Sequence, residues 1–170
     1  NHTPAFGTQI TYKPTDKVVL NWSTYVGNEQ PDIDKKWRYF NNFYGQFKVT
    51  EKTNITAGFD VGSQQSAKSS NKYDTWFSPV LILQYKPTDK IQLAARGEYY
   101  SDEKGVIIAT ETLNGFKTYG FSANFDYLVT DNVMFRIEAR NLSSKDEIFT
   151  KDNLPTDTNT FVTTSLAISF

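Results

Sequence analysis

Oppositely charged residues recur at alternate positions in the second half of the chain. Six of them share this pattern: Arg96, Glu98, Asp126, Arg136, Glu138 and Arg140. Alternate residues of a β-strand lie on one face, so neighbouring antiparallel strands would hold these side chains within pairing distance. Such a row could be a salt-bridge ladder that stiffens a sheet. It could also be a set of opposed charges whose transverse field selects solutes in a water-filled channel.

Three further charged residues, Arg38, Lys48 and Asp60, fall on the same predicted face. We take all nine as candidate lumen-lining residues of a channel. Their positive and negative charges nearly cancel, so strong ion selectivity is not expected.

Other polar residues do not indicate catalysis or metal binding. The loop acids do not have the spacing of a standard calcium loop; they are Asp32, Asp34, Asp146, Glu147, Asp152 and Asp157. His2 is the only histidine and offers no serine–histidine pair within a strand. No helix follows Gly58 and Gly62, which a phosphate-binding loop would need. We therefore expect no enzyme activity, no metal and no cofactor.

Composition narrows the class of protein. The 170 residues carry a formal net charge of −1, which argues against a nucleic-acid partner because no basic stripe is present. No apolar run approaches the roughly 18 residues of a transmembrane helix. The mean hydropathy of −0.52 does not exclude a membrane, because barrel strands alternate lipid-facing with lumen-facing residues.

Short turns alternate with long polar loops along the chain. The segment Lys-Pro-Thr-Asp-Lys occurs twice, at 13–17 and 86–90, and further turn signals lie at 50–54 and 129–132. Longer polar stretches lie at 28–36, 66–72, 101–115 and 143–158. The segments between them predict about nine strands, at 6–12, 18–27, 37–49, 55–65, 73–85, 91–100, 116–128, 133–141 and 160–170.

The predicted strands alternate apolar with polar residues, and none has sustained helical spacing. This predicts an all-β, antiparallel, up-and-down transmembrane β-barrel with short periplasmic turns and long extracellular loops. Amphipathic aromatics on the apolar face suit a membrane interface; the candidates are Tyr12, Trp22, Tyr85, Tyr99, Tyr127 and Phe170. A soluble β-sandwich would show similar alternation but has no reason to keep short turns at one end and long loops at the other.

Motifs along the whole chain resemble one family. They include Thr3-Pro4-Ala5-Phe6-Gly7, Ser78-Pro79-Val80-Leu81-Ile82, Ala94-Ala95-Arg96-Gly97-Glu98-Tyr99-Tyr100, Asn114-Gly115-Phe116-Lys117-Thr118-Tyr119-Gly120 and Arg136-Ile137-Glu138-Ala139-Arg140. On these residues the chain resembles the OmpL-like β-barrel porins of the Bacteroidota. The resemblance implies passive passage of small solutes through a bacterial outer membrane. It carries no catalytic motif.

The closing strand also resembles those of outer-membrane barrels, whose terminal aromatic residue is part of the signal read by the barrel-insertion machinery. From 162 onward, even positions are mostly apolar and odd ones small or polar, and the chain ends at Phe170.

The same resemblance implies that residues 1–170 are the carboxy-terminal portion of one longer barrel domain. Family members are about twice this length, and bacterial single-chain barrels have an even number of strands. We expect at least one strand before Asn1 and about sixteen in the complete barrel. The nine strands of this chain should therefore not close on themselves.

The sequence thus predicts an outer-membrane porin for small hydrophilic solutes. The alternatives are a non-conducting barrel that acts as a scaffold or surface-contact subunit of an envelope complex and, less favoured, a soluble β-barrel ligand binder. Expected partners are outer-membrane lipid and lipopolysaccharide, the insertion machinery, the missing amino-terminal half, and a homo-oligomer or envelope complex. The apolar loop runs at 106–109 and 148–149 could fold into the pore, contact lipopolysaccharide or bind a partner.

Overall fold

The computed structural model describes all 170 residues and contains eleven β-strands and one short 3-10 helix. The strands are β1 (Phe6–Thr15), β2 (Val18–Asn28), β3 (Trp37–Lys48), β4 (Thr53–Gln65), β5 (Tyr73–Tyr85), β6 (Ile91–Asp102), β7 (Phe116–Thr130), β8 (Val133–Ser144), β9 (Phe149–Lys151), β10 (Leu154–Thr156) and β11 (Thr158–Ile168). The 3-10 helix spans Asp32–Asp34. The structure contains no helix with the length and apolarity needed to cross a bilayer.

Nine strands form one antiparallel sheet in the order β1-β2-β3-β4-β5-β6-β7-β8-β11. From β1 to β8 each strand pairs with the next one in the chain, and β8 pairs with β11 because the hairpin β9–β10 lies outside the sheet. The connections of the sheet are therefore up and down throughout. β1 and β11 lie at opposite edges and do not pair with each other. The predicted all-β antiparallel fold is confirmed, and so is the prediction that these nine strands do not close.

All nine predicted strands are present, but several of their boundaries were predicted wrongly. β1 continues through Pro14 to Thr15, β6 reaches Asp102 and β8 reaches Ser144. Polar residues at these ends still form ladder hydrogen bonds, which need no apolar side chain. Pro14 is tolerated because β1 is an edge strand whose register shifts between Tyr12 and Thr15.

The prediction of one long loop at 143–158 was also wrong, because this segment contains two strands. It holds the small hairpin β9–β10, which pairs Leu154 with Lys151 and Thr156 with Phe149. Asp152 and Asn153 form its turn with positive φ values of 51° and 65°. Two consecutive residues of this conformation suit a two-residue hairpin turn, and Asp and Asn adopt it more readily than most residues. The final strand ends at Ile168, two residues earlier than expected.

The sheet has one polar and one apolar face, and their burial is inverted relative to a soluble protein. Of fourteen buried residues, Trp76 is the only hydrophobic one outside glycine, and eight are polar or charged. On the other face Leu81 is 56% exposed and Phe121 is 63% exposed. A soluble sheet covers its apolar face with a second layer. Since no second layer is present, this face needs an apolar environment such as lipid.

A charge placed on the apolar face should therefore be far more costly than one on the polar face. In the protein reconstituted in lipid vesicles, Leu81→Arg should lower the free energy of unfolding by about 2–4 kcal/mol. Ser78→Arg is the matched control. Ser78 lies on the same strand as Leu81 but on the polar face, where it pairs with Asp60 of β4. Urea titration followed by Trp fluorescence measures both. Equal losses would contradict the assignment of the faces.

Candidate functional site

Strands β6, β7 and β8 bring the six charged residues of the second half of the chain onto one wall of the polar face. Register pairs Arg96 with Ser122 and Ser122 with Arg140, and it pairs Asp126 directly with Arg136. Paired residues lie on the same face of a sheet. The six therefore share a wall, but they do not form one continuous row. They separate into two clusters and an isolated Glu138.

The first cluster surrounds Asp126, whose side chain is fully buried. Arg136 donates to its two carboxylate oxygens from Nε and Nη2 at 2.6 and 2.7 Å. Asn124 and Gln92 donate to the same carboxylate at 2.9 and 3.2 Å. A forked guanidinium–carboxylate pair with amide support is a strong arrangement that leaves the carboxylate little capacity for a ligand. This cluster stiffens the wall.

The second cluster joins Glu98 to two guanidinium groups. Arg96 donates to Glu98 from its own strand, with Nε at 2.9 Å. Arg140 donates to the other Glu98 oxygen from β8, across the intervening strand β7. One carboxylate thus serves two cations, which leaves a net positive charge. Arg140 Nε is buried without a hydrogen-bond partner.

Gly120 makes the bridge across β7 possible. It pairs with Glu98 and sits directly beneath the carboxylate. A Cβ atom at Gly120 would lie 2.5 Å from Glu98 Oε1, well inside contact distance. The missing side chain therefore leaves the space through which the carboxylate reaches Arg140. The prediction from sequence did not single out Gly120, although its place opposite Glu98 at a polar-face position was a usable signal.

The remaining charged candidates lie apart from these clusters. The side chain of Glu138 forms no ion pair or hydrogen bond within the chain. Asp60 accepts from Asn42 at 2.6 Å. Lys48 lies 2.5 Å from Glu51 in the adjacent short turn, and this ammonium holds the pKa of Glu51 below its usual range. All nine candidates are on the polar face, and their role as lumen-lining residues stays a prediction.

Arg38 is held differently from the other basic residues. Its Nε and Nη2 donate to the Gln64 side-chain oxygen at 2.9 and 2.7 Å. Its guanidinium lies 5.5 Å from the ring centroid of Trp76, which covers Gly62. Since neither partner is anionic, Arg38 keeps its positive charge uncompensated. Trp76 was another residue that the sequence pattern did not single out.

Five of the six predicted interface aromatics are exposed and Tyr99 is half-buried, and they lie at different heights along their strands. Tyr12, Tyr85 and Tyr127 lie near the short-turn ends of their strands, whereas Tyr99 lies near the long-loop end of β6. Tyr99 packs on Tyr119 with ring centroids 4.6 Å apart. Phe170 lies beyond the end of β11 and is fully exposed.

Trp22 lies inside β2 rather than at its end. Its ring stacks on Phe43 with centroids 5.9 Å apart, and its indole N–H donates to Asn41 at 3.0 Å. The membrane-interface role of these six aromatic residues stays a prediction.

Two of the long loops contact each other at the end of the sheet opposite the short turns. The Asn114 backbone and side-chain amides donate to the Asp146 carboxylate at 2.9 and 2.7 Å. These hydrogen bonds, the backbone one first, hold the pKa of Asp146 below its ordinary value. The Asp146 carboxylate therefore joins residues 103–115 to residues 145–157.

Comparison with known proteins matches this architecture to a family. A family model described as "Putative beta-barrel porin-2, OmpL-like" matches residues 1–170. The chain belongs to this family. A solved structure of NanC porin in a rhombohedral crystal form superposes with a TM-score of 0.66 at 12% sequence identity. The match covers 99% of this chain and 79% of that chain, and it shows the fold. No curated protein matches the chain.

Membership of the family, together with the porin fold, places this protein among outer-membrane β-barrels of the porin type. Porin families are in general not enzymes. The inverted burial of the sheet agrees with this, because the apolar face is the one that lipid would cover.

Replacing Gly120 should break the bridge across β7. Gly120→Ala should lower the free energy of unfolding by about 1.5–3 kcal/mol, the range for hydrogen bonds to charged groups. In an Arg140→Gln background the same change should cost much less, because the bridge is already lost. Gly97→Ala on the apolar face is the control, since its Cβ would make an ordinary 3.6 Å contact with Phe121. Equal losses from Gly120→Ala in both backgrounds would contradict the bridge.

The contact between the loops should weaken in acid. Because the pKa of Asp146 is lowered on folding, the contact contributes fully above the unfolded pKa of about 3.9 and is lost as pH falls through the lower folded value. Hydrogen exchange at the Asn114 amide should therefore lose protection in that range. Asp146→Asn should remove this pH dependence. Protection that stays unchanged to pH 2 would contradict the assignment.

Proposed function

We propose that the complete protein is an outer-membrane porin through which small hydrophilic solutes diffuse passively. The proposal rests mainly on the inverted burial of the sheet. Charged and amide side chains are concentrated on the less exposed face, and exposed aromatic and aliphatic side chains on the other. In a barrel this arrangement gives a polar lumen inside an apolar belt.

We also propose that further strands complete the barrel, about sixteen in all. β1 and β11 leave a row of backbone amides and carbonyls unpaired at each edge. In hydrocarbon such groups must be satisfied by another strand, because no water is available. In the complete protein, residues 1–170 would be the carboxy-terminal part of one barrel domain, with short turns periplasmic and long loops extracellular.

The nine polar-face charges would then line the lumen, and the exposed aromatics would meet the membrane interfaces, where lipid and lipopolysaccharide are neighbours. Fixed ion pairs at Asp126 and Glu98 would stiffen one wall. The charges without an ionic partner, at Arg38, Asp60 and Glu138, would face passing solutes. This division explains how a lumen with many charges can have weak net selectivity.

Conductance of the full-length protein in planar lipid bilayers tests the channel directly. Ohmic steps that are weakly selective between cations and anions are expected. No current would favour a non-conducting barrel that serves an envelope complex. A protein that stays dispersed without detergent would instead favour a soluble ligand binder.

Charge substitutions should shift selectivity in opposite directions. Arg96→Gln removes one of two cations that serve Glu98 and should move the reversal potential in a salt gradient toward cation preference. Glu138→Gln should move it toward anion preference. Lys52→Gln, in the short turn before β4, is the control and should leave it unchanged. Shifts of the same sign from both polar-face variants would contradict a shared lumen.

A further inference from the structure

Asp102 ends β6 on the polar face, at the end where the long loops lie. It lies on the same face of β6 as Glu98 and Arg96, and it pairs with Phe116 of β7. Its side chain is fully buried. A buried carboxylate at the rim of a water-facing wall is costly unless its oxygens are hydrogen-bonded.

Three consecutive backbone amides satisfy that carboxylate. Val106 donates to Oδ1 at 2.8 Å, and Ile107 and Ile108 donate to Oδ2 at 2.6 and 2.9 Å. Successive amides that converge on one anion form a compact nest, and hydrogen bonds to a charged acceptor are about twice as strong as neutral ones. Because Asp102 is on the polar face, residues 106–108 must turn back over that face.

Two glycines give the loop this shape. Gly105 and Gly115 have φ values of +63° and +64°, where glycine is favoured over other residues. Gly105 N–H donates to the Asp102 carbonyl at 3.3 Å, which closes the first turn directly after the strand. The segment between the glycines is therefore held close to the end of β6.

Two residues at the long-loop end of the polar face are almost completely buried. Thr118 and Ser144, which pair across β7 and β8 at the same end of the polar face, are only 4% and 9% exposed. The hydroxyl of Thr118 is buried without a partner. The Asn114–Asp146 contact joins residues 103–115 to the next loop.

We propose that Asp102 holds residues 103–115 across the polar face as a fixed strap, and that this strap sets the size of the largest solute that passes. The proposal rests on the porin function proposed above. Asp102 is a positioning residue here, and the strap itself is the restricting element. Ile107 and Ile108 remain 44% and 36% exposed, so the strap presents aliphatic side chains at the mouth. This accounts for the apolar run at 106–109, which is otherwise unusual in a long polar loop.

The first test measures solute size in proteoliposomes that contain the full-length protein. Asp102→Ala should raise the swelling rate severalfold for the larger oligosaccharides and leave the smallest sugars little changed. Asp102→Asn keeps one acceptor oxygen and should have an intermediate effect. Glu103→Gln is the matched control, because Glu103 is the next residue but pairs with Lys117 outside the nest. An unchanged size limit in Asp102→Ala would overturn the restricting role.

The second test detects the strap whether or not the pore conducts. The chain has no cysteine, so Thr118→Cys introduces a single thiol beneath the strap. A membrane-impermeant maleimide should label it slowly in the otherwise native protein and rapidly when Asp102→Ala is added. Equally fast labelling in both backgrounds would overturn the strap. Absence of permeation by the unmodified protein together with strap-dependent labelling would overturn the porin function and the size limit while leaving the fold-back in place.

Discussion

Backbone hydrogen bonding is the constraint on which the rest of this structure depends. Of 104 backbone hydrogen bonds, 90 lie within the regular elements. In hydrocarbon an unpaired amide or carbonyl costs several kcal/mol, about as much as a whole domain can tolerate. The up-and-down sheet pairs every interior strand on both sides, mostly with its direct neighbours in the chain. The two edge strands, β1 and β11, are the exception, because they do not pair with each other.

On the polar face, charged side chains are stabilised by ion pairs and hydrogen bonds to one another and to amide side chains. Asp126 is completely buried, yet both of its oxygens are occupied by Arg136 and by neighbouring amides. Glu98 is shared between two guanidinium groups because Gly120 leaves room beneath it. A wall built in this way is rigid, and its inner charges have little capacity for further ligands. The electrostatic character of a lumen would then come from the residues without ionic partners, which are fewer and of both signs.

The ends of the sheet differ for a related reason. At one end of the sheet, short turns of a few residues connect the strands, so few backbone groups there lack a ladder partner. At the other end the loops are longer and contain more backbone amides that need hydrogen-bond acceptors. Side-chain carboxylates accept several of these hydrogen bonds. Asp102 accepts three amides of one loop, and Asp146 accepts two donors from Asn114. These carboxylates order the long loops at that end of the sheet.

The sequence by itself determined the nine strands of the large sheet, its two faces and the asymmetry of turns and loops. Period-two alternation and Pro-Thr-Asp turns are local signals, and they placed Arg96, Asp126 and Arg136 on one face correctly. Only the tertiary structure decided which charges meet. Arg140 reaches Glu98 across a whole strand, while Glu138 beside it stays unpaired, because register and a single glycine set those distances. The hairpin β9–β10 and the fold-back onto Asp102 were likewise invisible in alternation, since both depend on positive-φ turns and on contacts between a loop and the end of a strand. Local pattern specifies which way a side chain points, and only the assembled sheet specifies what lies opposite it.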